Sequence, residues 1–404
     1  MNINDFLDKK FANYPQTDEL IDLRESIETD MNDFVKEHVD DGMSVREATA
    51  LAIENASDLD QLLQFIGEKE NESKIYSLYA AITNRLRRLE LVNSYSVDLQ
   101  SITEIHLQFH LGNVLILPTT DEKITVREFM SREIKSLFSA PTKVGNVLQI
   151  EQGPRRIVGI FRNRIEISLP QHFTGFFSLA SKYGNITATK LNSDILFDIT
   201  STSGNIRLTD LALKRVQLDA RSGNIKLTQL KTPELHVNSR SGNVKLAHIR
   251  VLEAPGQLVL TDKSGNVKLL DVHAKTLVLN EASGNMRMID VRGDRFDITQ
   301  TSGNVHAENL SGAGKISGKS GNINVQFEQL TGKFKAEEKN GHIKVAFADD
   351  TSYNFMVKTL TGRVSLPDRA KVTDYQNRQT TGQVGQLPTN SVLLSTLNGN
   401  IKLQ

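Results

Sequence analysis

The spacing of apolar positions changes near residue 95, and that change divides the chain. From Thr17 to about Asp40 they fall at Leu20, Leu23, Ile27, Met31, Phe34 and Val35, the three-and-four spacing of one helical face. Asp18, Glu25, Glu28, Asp30 and Asp33 occupy the opposite face. Gly42 stops this helix and Ser44 opens the next, because Ser44-x-x-Glu47 is a capping box whose side chains satisfy free amides of the first turn. Ser57-x-x-Asp60 repeats the device before Leu59, Leu62, Leu63 and Ile66. A longer polar helix with Arg85, Arg87 and Arg88 is expected over about Asn71 to Leu91, completing a helical domain over residues 1–92.

From Tyr95 the period becomes strand-like. Val97, Leu99, Ile102, Ile105 and Leu107 lead to a degenerate turn at Gly112-Asn113, followed by Val114 and Ile116, and a second such turn is read at Gly145-Asn146. Between them Ile124 to Leu137, carrying Lys123, Arg127, Arg132 and Lys135, is expected to be partly helical. Ile165 and Ile167 run into Pro170, which cannot donate to a ladder and so predicts a strand edge. Residues 95–180 are expected to form irregular β coils that cap the first end of a longer β region.

From 181 to 404 one phrase recurs. Ser222-Gly223-Asn224-Ile225-Lys226-Leu227 returns as Ser241 to Leu246 and as Ser264 to Leu269. Its glycines are Gly184, Gly204, Gly223, Gly242, Gly265, Gly284, Gly303, Gly321, Gly341, Gly362, Gly382 and Gly399, at intervals of 17 to 23 residues. A unit that short cannot bury a core alone, so the repeat predicts a stacked solenoid. Seven and five residues before the glycine stand pairs such as Val216 and Leu218, and two and four after it pairs such as Ile225 and Leu227. Alternation with polar residues makes each unit two short strands with one inward face. The corner pairs, Gly204-Asn205, Gly223-Asn224, Gly242-Asn243, Gly265-Asn266, Gly284-Asn285 and Gly303-Asn304, supply positive φ at little steric cost. In parallel register their asparagines form a column at about 4.8 Å spacing, each side chain bonding those above and below. The expectation is an α+β chain: a small helical domain, then a parallel β-helix of about twelve coils, roughly 55 Å long. A sandwich or propeller would not explain one identical corner per twenty or so residues. The longest interval, 23 residues, holds Ala254-Pro255-Gly256, read as a protruding loop.

Composition narrows the chemistry. The 404 residues carry 48 basic and 48 acidic side chains, a balance that speaks against bulk capture of nucleic acid. With no cysteine there is no disulfide frame, thiolate zinc site or thiol nucleophile, and no cofactor is expected. Met1 to Asp8 has neither the basic start nor the apolar stretch of a secretion signal, and no apolar run approaches a membrane span. The expected location is therefore the cytoplasm, with peripheral membrane contact and surface exposure left open. Leu387-Pro388-Thr389-Asn390 lacks the remaining parts of a wall-sorting signal.

The position three after each corner glycine reads Arg207, Lys226, Lys245, Lys268, Arg287, His306, Asn324, Lys344 and Lys402. Two before it stand Arg221, Arg240, Lys263, Lys319 and Lys339. Stacked, these become two basic columns with like charges one strand spacing apart. One reading is a docking strip for a phosphate-rich polymer, an anionic membrane or an acidic protein; the other is a solvated face balanced by Asp210, Asp271 and Asp290. Ser311 to Ser320 is glycine-rich, but Ala313 stands where a phosphate loop needs glycine. His236, His248, His273, His306 and His342 share no metal-ligand spacing and are expected at surface or corner positions. No recurring acid, base and arginine set points to catalysis, so no enzyme is expected. The run Ile401-Lys402-Leu403-Gln404 breaks off in mid-pattern, and an open coil of that kind predicts end-to-end self-association or a partner strand.

Two resemblances rest on these residues. The order acidic helix, Asp41-Gly42-Met43-Ser44, then Glu47 to Ile53 and a short helix from Asp58 resembles the HAAS signalling module of Gram-positive bacteria over about 2–67. The serial Ser-Gly-Asn-Ile/Val units resemble a bacterial adhesin-like family of β-strand repeats over about 95–404. Together they imply a β-helical, non-enzymatic scaffold or sensor in envelope-stress signalling, binding a protein partner through residues around Ile27 to Leu63. The alternatives are an exported adhesin-like surface protein and a β-helix carbohydrate-active enzyme.

Overall fold

The computed structural model describes residues 2–404 apart from 16, 41, 68–77, 80, 84–85, 87–88, 132 and 155–161. Two compact units emerge: 1–94 with 127–135 and 156–164, and 95–126 with 136–155 and 165–404.

In the first unit α1 is Ile3–Phe11, α2 Asp18–Asp40, α3 Val45–Asn55 and α4 Leu59–Gly67. The predicted stripe of α2 is its buried face: Leu20, Ile27, Met31 and Phe34 pack with Leu7 of α1, Ala52 of α3 and Leu62 and Leu63 of α4. Ser44 and Glu47 close the expected capping box on α3. At α4 the Leu62 amide donates to the Asp58 carbonyl, so Asp58, not Ser57, sits at the cap. The periodicity missed α1, whose signal is a second capping box from Asn2 to Asp5. Of the expected long polar helix, residues 78–79, 81–83 and 86 are helical; Arg85, Arg87 and Arg88 lie outside the described residues. No described helix is long and apolar enough to cross a membrane.

The second unit is a parallel β-solenoid, and its registers show why like residues recur. Ile225 pairs with Val244, Val244 with Val267, and Val267 with Met286, so each apolar side chain lands on another and one core runs from Leu99 to Leu403. Each turn has three inward stretches where two strands were expected. After Ile225–Lys226–Leu227 the chain turns again at Gln229, and Leu211, Leu230, Ile249, Val272 and Val291 stack along a third face. That second corner is built by residues with positive φ: Asp210 (55°), Gln229 (55°), His248 (56°), Asp271 (50°), Asp290 (54°) and Asn309 (56°). The segment between Val251 and Gln257 is the expected exposed loop.

Both ends of the solenoid depart from the simple repeat. At the first end Gly112 lies directly against Gly184, and Asn113–Thr119 pairs in parallel with Ile186–Thr189. Gly145 is not a solenoid corner but the turn of an antiparallel hairpin, Ser139–Val144 with Val147–Gln152. Lys123–Met130 is a strand, and helical geometry is confined to a short turn at Lys135–Leu137; the alternation of Ile124 and Val126, both buried, outweighs the helical reading. The strand Asn163–Pro170 lies between two others; Pro170 ends it rather than marking a sheet edge.

At the far end nine corner glycines from Gly184 to Gly341 stack in sequence order, but Gly399 then lies on Gly341 and Gly362 on Gly399. The strand Asn390–Asn398 is inserted between the second half of Ile323–Asn340 and Tyr353–Thr361. Ile401–Leu403 likewise lies between Ile343–Ala346 and Val364–Ser365. Gly382 is no corner: it belongs to the antiparallel hairpin Ala370–Gln376 and Gln379–Val384. About nine consecutive turns thus replace the expected twelve, and the run Ile401 to Leu403 is a paired interior strand, not an open edge.

Candidate functional site

The corner column is the frame on which the outward residues are hung. Gly223 has φ 118°, and a Cβ there would lie 2.2 Å from the Gly204 carbonyl oxygen; Gly242, at 130°, would meet the Gly223 carbonyl at 2.1 Å. Backbone approaches backbone so closely that only glycine fits. Gly204, Gly265, Gly284 and Gly303 repeat the geometry. The asparagines form the expected column, with one difference in its donors. The backbone amide of Asn224 donates to Asn205 Oδ1 at 2.8 Å, Asn243 to Asn224 at 2.9 Å, and Asn266 to Asn243 at 3.0 Å. Asn285 and Asn304 continue at 3.1 and 3.2 Å, and their side-chain amides add bonds to the same oxygens. At His342 a ring nitrogen substitutes, accepting from the Asn400 amide at 2.9 Å.

Beside this frame the strand registers bring the basic residues together. Arg207 pairs with Lys226, Lys226 with Lys245, Lys245 with Lys268, and Lys268 with Arg287. His306, Asn324, Lys344 and Lys402 extend the line. Arg221, Arg240 and Lys263 are exposed on the other side of the corner. Two of the acids read as compensating are engaged elsewhere. Asp271 accepts from Arg250 at 2.7 Å and binds His248 at 2.9 Å, and Asp290 accepts from Asn309 at 2.9 Å. Burial pushes the Asp271 carboxyl up, but the Arg250 and His248 bonds and the Arg250 charge outweigh it and hold it below the ordinary value. At the end of the strip Glu308 does answer the column: it accepts from Arg287 at 3.4 Å and pairs with His306 at 2.7 Å, chiefly the latter bond holding its carboxyl low. Lys245 and Lys268 have no acidic partner among the described residues.

The histidines hold local roles. His248 and His273 face Asp271, and His236 pairs with Glu234 at 3.1 Å. Ser311 to Ser320 is part of a strand, not a phosphate loop. Its Gly314 admits the Phe296 ring, whose edge would lie 2.6 Å from an added Cβ.

A feature the sequence reading missed lies three residues before most corner glycines, Ala220 and Gly318 being the exceptions. There Ser201, Ser239, Asp262, Glu281, Gln300 and Glu338 are all buried. Asp262 pairs with Glu281 and Glu281 with Gln300 in neighbouring turns. They continue the inward phase of the apolar residues before them, as Glu281 does after Leu277 and Leu279 and Gln300 after Phe296 and Ile298; the sequence reading passed over them because their side chains are polar.

Residues 102–254 and 234–404 match the Toastrack DUF4097 family. No curated protein matches the chain. Solved structures similar to it include a candidate cell adhesion protein from Clostridium sporogenes, 11% identical, covering 78% of this chain and 98% of that one at a TM-score of 0.23. A candidate adhesin from Bacteroides fragilis is 16% identical, with coverages of 77% and 96% and a TM-score of 0.29. One from Parabacteroides distasonis is 10% identical, with the same coverages and a TM-score of 0.33.

Proposed function

The chain belongs to the Toastrack DUF4097 family, and we propose that it is a non-enzymatic scaffold or sensor of Gram-positive envelope-stress signalling. In this reading the solenoid meets an anionic surface and the helical unit meets a protein partner. The observation that carries the proposal is the register of Arg207, Lys226, Lys245, Lys268 and Arg287 as direct neighbours. Like charges one strand spacing apart repel, and a polyanion or anionic headgroups relieve that repulsion while releasing their counterions. In the region from Ile27 to Leu63 we place that contact on the exposed side chains, since Ile27, Leu59, Leu62 and Leu63 are fully buried. Among the described residues, large apolar side chains exposed on the helices of that unit include Ile21 and Val45, and His38, Met43, Leu51 and Glu54 line a groove.

The test is co-sedimentation of the full chain with phosphatidylglycerol and with phosphatidylcholine vesicles at several salt concentrations. Binding to the first alone, weakened by salt and lost in Lys226→Glu/Lys245→Glu/Lys268→Glu, is the expected result. Undiminished binding by the triple variant overturns the strip. An exported adhesin-like protein is the second reading, since the same strip could face outward; surface protease sensitivity in intact cells with absence from the cytosol favours it.

A further inference from the structure

In the buried polar column, which also takes in Thr359 and Thr396 three residues before Gly362 and Gly399, the place of Glu281 calls for a hydrogen-bond donor. Three members donate a hydrogen bond to the corner carbonyl of the neighbouring turn: Gln300 Nε2 to Gly284 at 2.6 Å, Thr396 Oγ1 to Gly341 at 3.1 Å, and Thr359 Oγ1 to Gly399 at 2.9 Å. Glu281 occupies the same position against Gly265. A Cβ added to Gly284 would lie 1.5 Å from the Gly265 carbonyl oxygen and 2.3 Å from Glu281 Oε1, so the two oxygens face each other across the space the missing side chain leaves. Glu281 is 2% exposed, and neither of its oxygens has a hydrogen-bond partner. Two acceptors cannot bond without a hydrogen between them.

We infer that Glu281 holds a proton and through it donates a hydrogen bond to the Gly265 carbonyl, as Gln300 does to Gly284, which makes this turn of the solenoid a pH-sensitive weak point. The groups facing it from the adjoining strands are Asp262, on the preceding turn, and neutral Gln300, on the following one. Asp262 is itself 1% exposed; burial pushes its carboxyl up, against the pull of the Ser239 hydroxyl and the Lys263 and Ser264 amides, and the Lys263 side chain beside it is exposed. Burial, with the Asp262 charge added, pushes the Glu281 carboxyl up to about 7. A carboxyl raised on folding takes up a proton that the unfolded chain releases nearer pH ~4.3, so stability falls as pH rises through that window and levels off above about 7.

The experiment is thermal unfolding of the full chain between about pH 4.5 and 8.5, comparing wild type, Glu281→Gln and Asp262→Asn. Glu281→Gln, an isosteric permanent donor, is expected to flatten the slope and to exceed the wild type in Tm at the alkaline end. Asp262→Asn is expected to shift the wild-type decline toward higher Tm at neutral pH by removing the neighbouring charge. A Glu281→Gln profile parallel to the wild type overturns the inference. If that variant does not fold, Asp262→Asn and the protonated-carboxyl infrared band of the wild type decide it: no band lost between pH 6 and 8 overturns it. The scans are repeated at pH 8 with added calcium or potassium. Stabilisation that needs Glu281 would make the pair a cation site and overturn the proton reading.

Discussion

At the scale of single residues, two glycines that look alike in sequence are held by different physics. Gly223 has φ 118° with the Gly204 carbonyl oxygen 2.2 Å from where a Cβ would be, whereas Gly145 has φ 61° and nothing within 4 Å. Alanine at 223 meets strained backbone and a neighbour that cannot yield without moving the whole turn. Alanine at 145 meets only the left-handed penalty. Gly223→Ala is expected to cost about 3 kcal/mol and Gly145→Ala about 1 kcal/mol, read from urea unfolding. Equal losses would show that the corner relaxes more freely than its packing implies. Asn224→Ala removes the acceptor of the Asn243 amide; because the corner is exposed, water replaces it in part, and a loss of about 1 kcal/mol is expected.

At the scale of the element, the third inward face is the addition the structure makes. Leu230 is 1% exposed, stacked between Leu211 and Ile249. Leu230→Ala is expected to destabilise by about 3 kcal/mol, as a core truncation should; a loss below about 1 kcal/mol would mean the face is loosely packed. The two main strands were legible because residues such as Val216 and Leu218 alternate with polar ones. The third face was not, because one or two apolar residues between turns, such as Leu230 after Gln229, have no period of their own. The second corner was hidden for a related reason: Asp210, Gln229 and His248 share a backbone conformation but no side-chain type. The basic columns were legible in position, since strand register follows from repeat length. Their balance was not, because Asp271 belongs to Arg250, on the neighbouring turn beyond the second corner, rather than to the lysines three residues before it.

For the solenoid as a whole, stability is close to a sum of turns and the interfaces between neighbours, so the order in which turns stack determines what a truncation removes. The even spacing of the corner glycines gave no hint that Gly399 would lie between Gly341 and Gly362. A chain stopped after Thr389 would lose Asn390–Asn398 and Ile401–Leu403, the partners on which Tyr353–Thr361 and Val364–Ser365 lie. Were the turns stacked in chain order, that truncation would remove only a terminal layer and leave residues 353–384 as protected as before. With the inserted order, Tyr353–Thr361 loses its parallel neighbour and the hairpin Ala370–Val384 is left attached only to a detached strand. Hydrogen exchange should therefore show protection collapsing over 353–384 in the truncated chain while 206–320 keeps its own. Unchanged protection over 353–384 would mean that this segment closes directly onto Ile323–Asn340 when the insert is gone.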